Sequence, residues 1–161
     1  MTPRHARVAF ATAGAILVLA ALSQAQSKDP FVGTWKMNVA KSTYSPGPAP
    51  KSVSSVYEAV GKGYKITATS EPATGPTQQW SYTTNLDGAD TPITGNNPNA
   101  DTIAVKRIDA NTLEAVNKKG GQTTTTSRNV VSADGKTRTL TTTGVDGQGR
   151  KVQNVIVFEK Q

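Results

Sequence analysis

The chain of 161 residues carries 18 Lys and Arg against 11 Asp and Glu, for a formal charge of +7, and has one His and no Cys. The lack of Cys excludes disulfides, a lipid-modified N-terminal Cys and a thiolate nucleophile. The one His is His5, so the residues after it can build neither a Ser-His-Asp triad nor a zinc or haem site resting on His or Cys, which argues against most hydrolases.

Arg4 and Arg7 make a basic start, and Val8–Leu22 is an apolar run rich in Ala, Leu and Val. Ser23-Gln24-Ala25 then puts small residues where a signal peptidase cuts, so residues 1–25 read as a signal peptide cleaved after Ala25. The apolar run is short against the ~20 residues of a spanning helix. No membrane span is therefore expected after cleavage, and the protein is expected in the periplasm or outside the cell. Residues 26–161 suit one domain with a real core. Without Arg4 and Arg7 the charge falls to +5 and is scattered, its densest pairs being Lys106-Arg107, Lys118-Lys119 and Arg150-Lys151. A nucleic-acid surface wants a clustered basic stripe with aromatic residues between, so no nucleic-acid partner is expected.

Almost no helical periodicity follows. Val, Thr, Ile and Tyr fill the runs, and Gly, Asn, Asp and Pro separate them, as strands and turns require. The first strand is read at 33–40. Lys41–Lys51 contains Tyr44-Ser45-Pro46-Gly47-Pro48-Ala49-Pro50; prolines so close together cannot join a central strand, so this segment is an extended loop, folded across one end of the domain. Strands are then read at 52–60, 64–70 and 77–86. A turn at Asp87-Gly88 leads to a loose region over 90–100. Further strands at 101–108, 112–118, 122–132, 136–144 and 150–160 are separated by Asn-, Asp- and Gly-bearing turns. X-Gly pairs suit tight hairpins because Gly accepts positive φ cheaply. The expectation is an all-β, antiparallel up-and-down meander of about eight to ten strands, closed into a barrel that removes its edges.

Two stretches carry a resemblance. Gly33-Thr34-Trp35-Lys36, preceded by Asp29-Pro30-Phe31-Val32, resembles the opening of the calycin barrels: lipocalins, fatty-acid-binding proteins and avidins. The ending Val155-Ile156-Val157-Phe158-Glu159-Lys160 is similar to the closing strand of the fatty-acid-binding group. The whole also resembles small secreted bacterial proteins that begin with the Gly-Thr-Trp-Lys pattern. The resemblance implies that Trp35, set by Gly33, packs across the closed base of the barrel beneath a basic side chain from near the last strand, with Lys160 the first candidate and Arg150 the second. Departures limit it. Lys41–Lys51 is too short for the two helices of fatty-acid-binding proteins, the Arg-x-Tyr positions of their last strand hold Ile156 and Phe158, and the Thr-Asp-Tyr motif of lipocalins is absent.

The acids on strands, Glu58, Glu114 and Glu159, alternate with apolar neighbours and are expected to face solvent, which argues against a carboxylate-pair enzyme. A Ser-Lys dyad has no supporting motif. Asn85, Asp87, Asp90 and Asp101 offer oxygen ligands, but beside Gly such residues read as turn formers, so neither metal nor cofactor is expected. Non-catalytic binding of a small apolar or amphipathic molecule is the favoured function. Trp80, Tyr82, Tyr57 and Tyr64 would line a cavity, and Arg107, Arg128 or Arg138 would supply charge. The alternative is a filled barrel that binds protein, as an envelope or inhibitor-like module. Thr and Ser stand on both faces of the strands, so the inward face stays open at this point.

Overall fold

A computed structural model describes residues 29–161; the signal peptide read at residues 1–25 lies outside them. The described chain is all-β. Eleven antiparallel strands, β1 (Gly33–Met37), β2 (Ser52–Val60), β3 (Gly63–Glu71), β4 (Gln78–Thr84), β5 (Asp87–Pro92), β6 (Thr94–Gly95), β7 (Thr102–Asp109), β8 (Thr112–Lys119), β9 (Gln122–Val131), β10 (Thr137–Val145) and β11 (Lys151–Lys160), form one sheet. Among the described residues no helix is long and apolar enough to cross a membrane.

Hairpins join most neighbours, and β1 pairs with β11 to bring the chain ends together, Trp35 opposite Lys160 and Met37 opposite Phe158. The sheet order, β5-β7-β8-β9-β10-β11-β1-β2-β3-β4-β6, ends on two strands that are adjacent in sequence. This nearly closes the barrel. Asp87–Pro92 lies on β7, and Thr94–Gly95 lies on β4 opposite Ser81 and Trp80. Both stretches run in the same direction, so residues 87–95 form one kinked ribbon along a seam, changing partner at Ile93.

Three spans differ from the sequence reading. Asp87-Gly88 begins a strand rather than making a hairpin turn, and a register shift between Asp87 and Asp90 absorbs Gly88. The strand read to residue 86 stops at Thr84, after which Leu86 takes a φ of +63° and still turns its buried side chain inward. The strand read over 33–40 stops at Met37 and gives way to a single 3-10 turn at Val39–Lys41. Beyond it Thr43 bridges Val155, exchanging two backbone hydrogen bonds with it, so the Pro-rich segment climbs beside β11 before reaching the rim.

Alternation decides which face is inside. Tyr57, Ile66, Ile103, Val105, Leu113, Val131, Ile156 and Phe158 point inward and form the core with Phe31, Trp35 and Tyr64. Trp35 and Phe31 are fully buried, and the Trp35 Nε1–H donates to the Phe31 carbonyl at 2.8 Å. This closes one end. At the other end the hairpin tips and prolines leave the barrel open.

Candidate ligand cavity

A cavity of about 460 Å³ occupies the barrel interior. Its mouth is bounded by Pro46 and Pro48 of the climbing segment, Pro72 and Ala73 after β3, and Asp146 and Arg150 at the β10–β11 tip. One wall is aromatic and aliphatic: Ile66, Ala68, Trp80, Tyr82 and Ile93. In that wall Ile66 stands opposite Tyr82 and Ala68 opposite Trp80 in the β3–β4 ladder. Gly95 lies against Trp80 with a φ of +101°, and a Cβ there would sit 3.0 Å from Trp80 Cα and 2.4 Å from the Gln79 carbonyl. Only glycine lets β6 approach β4 so closely.

The floor is built around Arg138. Its side chain is 2% exposed and lies at the start of β10, on the same face as Leu140 and Thr142. Nη2 donates to Ser55 Oγ at 2.8 Å, and Nη1 donates to the Tyr57 hydroxyl at 3.2 Å and to Asn129 Oδ1 at 3.3 Å. The guanidinium carbon stands 4.0 Å from the Phe158 ring centre, 5.0 Å from that of Tyr57 and 5.3 Å from that of Trp35. Each such cation–π contact contributes on the order of 0.5–2 kcal/mol. Nε has no hydrogen-bond partner, and among the described residues no carboxylate forms an ion pair with this side chain. Burial pulls the Arg138 pKa down, while the Tyr57 and Tyr82 hydroxyls act to raise it. Burial also pushes the Tyr82 hydroxyl well above the usual phenol range. A buried cation facing only neutral groups is costly.

The sequence-named residues divide. Trp80, Tyr82, Tyr57 and Tyr64 all border the cavity, Tyr64 at its lower end. Arg107 does not border it. It sits beneath the floor, pairs with Asp29 at 2.8 Å, donates to the Tyr64 hydroxyl and stacks on Phe31 and Tyr64. Arg128 points to solvent and pairs with Glu114 across the outer face at 2.7 Å, because its position in β9 has the opposite parity to Ser127 and Asn129.

Lys160 lies over Trp35, with Nζ 4.9 Å from the ring centre and donating to the Pro30 carbonyl at 2.9 Å. Gly33, with a φ of +130°, makes room for it, since a Cβ there would sit 2.9 Å from Lys160 Cε. Arg150 is at the opposite end, paired with Asp146 at the mouth rather than covering Trp35. The strand acids are turned away from the interior, and Glu159 is held by Lys41 and Asn38. Around the seam, Asp90 pairs with Lys118, and Asp101 accepts from the Gly120 amide.

No protein-family model matches the chain, and no curated protein matches it either. The cavity itself is therefore the ground for function. The sequence reading grouped Arg138 with Arg107 and Arg128 as candidate charges, and of these three Arg138 alone borders the cavity. Its shared parity with Leu140, an aliphatic residue on an otherwise Thr-rich strand, was the available signal.

Proposed function

We propose that this protein is an exported carrier barrel that holds one small amphipathic ligand without chemical change. The ligand's acidic end rests on Arg138 and its apolar body lies against Trp80 and Tyr82. The observation that supports this reading is a buried guanidinium with an unpartnered Nε, at the floor of a cavity of about 460 Å³. Small-molecule sites commonly span about 300–1,000 Å³ with apolar walls and a few placed polar groups. A ligand carboxylate would supply the counter-charge that Arg138 lacks. Tyr57, whose hydroxyl already accepts from Asn129 and Arg138, keeps its own proton for an acceptor in the cavity. A filled barrel used only to bind protein has less support, because side chains leave this interior space open.

The test is native mass spectrometry with calorimetric titration against dodecanoic acid and dodecanol. The acid is expected to bind with one-to-one stoichiometry, the alcohol about tenfold or more weaker, and Arg138→Met to erase the difference. Equal binding of acid and alcohol, or binding of neither, would overturn the reading.

A further inference from the structure

The cavity is two-faced along its length as well as charged at its floor. Opposite the Ile66, Ala68, Trp80 and Tyr82 wall, β8, β9 and β10 turn Asn117, Thr125, Ser127, Asn129 and Thr142 into the interior, with Ala115 and Leu140 set among them. The sheet order places β10, β11, β1 and β2 between β9 and β3 on one side, and β8, β7 and the seam ribbon with β4 on the other. The two walls therefore confront each other across the barrel. The polar groups form rungs from mouth to floor. Asn117 Nδ2 donates to Thr125 Oγ1 at 3.1 Å, Ser127 Oγ and Thr142 Oγ1 are 3.1 Å apart, and Asn129 meets Tyr57 and Arg138.

Hydroxyl and amide groups inside a barrel cost free energy unless they are hydrogen-bonded, so a wall serving packing alone would carry aliphatic residues. The Asn117–Thr125 and Ser127–Thr142 rungs each satisfy one bond between neighbours and leave capacity spare. A hydroxyl has one donor and two acceptor sites, and an amide has two of each. That spare capacity faces the cavity.

We infer that the ligand is a rigid, facially amphipathic acid: its carboxylate sits on Arg138, hydroxyls along one face bond the Asn117-to-Asn129 wall, and its bare face lies on Trp80 and Tyr82. The inference rests on the carrier reading above. It adds that hydroxylation on one face raises affinity, which a plain apolar pocket would not allow.

The test uses two probes with the same four-ring skeleton and carboxylate, cholic acid with hydroxyls on one face and 5β-cholanic acid with none, titrated by calorimetry into the native protein. Cholic acid is expected to bind about tenfold or more tightly. Ser127→Ala with Thr142→Val should bring the two affinities together. The control, Thr126→Ala with Thr143→Ala, removes the neighbouring hydroxyl pair on the outer face and should keep the preference. Equal or better binding of 5β-cholanic acid overturns the inference while leaving the carrier reading intact, since an acid has still bound. A preference that survives the inner double substitution also overturns it. If neither these acids nor dodecanoic acid binds, both readings fall together.

Discussion

Arg138 and Trp35 share the barrel floor under opposite demands. Trp35 is fully enclosed and its indole proton is satisfied by the Phe31 carbonyl, so Trp35→Ala removes packing with no compensating gain. We expect a loss of about 3–5 kcal/mol in urea unfolding. Arg138→Met should cost less than breaking a buried ion pair does, since no carboxylate is left behind, and should mainly remove acid binding. Glu159 offers a pH-dependent case. Hydrogen bonds from Lys41 and Asn38, with the Lys41 charge, hold its carboxyl below the usual carboxylate range. A lowered carboxyl pKa stabilises the fold fully above the unfolded value, and the effect fades as pH falls through the folded value. Lys41→Met should therefore raise the Glu159 pKa in an NMR titration, and an unmoved value would refute the pairing. Trp35, Gly33 and Lys160 came from the resemblance rather than from spacing alone: a Gly-x-Trp at the head of a meander is a weak signal by itself, and its position before a train of hairpins is what strengthens it. The place of Arg138 was not legible, because Thr and Ser flank both parities of β9 and β10 and give a lone arginine little apolar reference.

Among the elements, the hairpins were readable because each is local: a Gly- or Asn-bearing turn between alternating runs fixes both strands. Residues 87–95 were not. Their partners, β7 and β4, come together only when the barrel closes, so Asp87-Gly88 looked like an ordinary turn. The ribbon's upper half depends on Gly95. Gly95→Ala should push β6 off β4 at the Gln79 carbonyl and Trp80, shifting Trp80 fluorescence and weakening acid binding while most of the strand signal in circular dichroism persists. An unchanged affinity would show that β6 does not hold Trp80 in place.

For the molecule as a whole, the interior is a compromise between packing and vacancy. The lower barrel is filled by Phe31, Trp35, Tyr64 and their neighbours, while the upper barrel keeps about 460 Å³ open and lines it in part with polar groups. A bound acid should then raise the melting temperature, by about 2.7 kcal/mol of added stability at a hundredfold excess over Kd, and Arg138→Met should remove that rise. The nearly closed antiparallel architecture followed from the turn rhythm and strand composition. The cavity did not, because its volume depends on which parity each strand turns inward.

The seam ribbon also sets an order in time. Hairpin ladders such as β8–β9 and β10–β11 join segments close in sequence and can form early. The amide of Ile93 donates to the Asp101 carbonyl at 2.8 Å, and that of Asn96 to the Gln79 carbonyl at 2.8 Å. The chain linking them gains its full set of partners only once both banks of the seam stand in place. In pulse-labelled refolding, Ile93 and Asn96 should gain protection last, after the β9–β10 amides, and earlier protection would mean that the barrel grows outward from its seam.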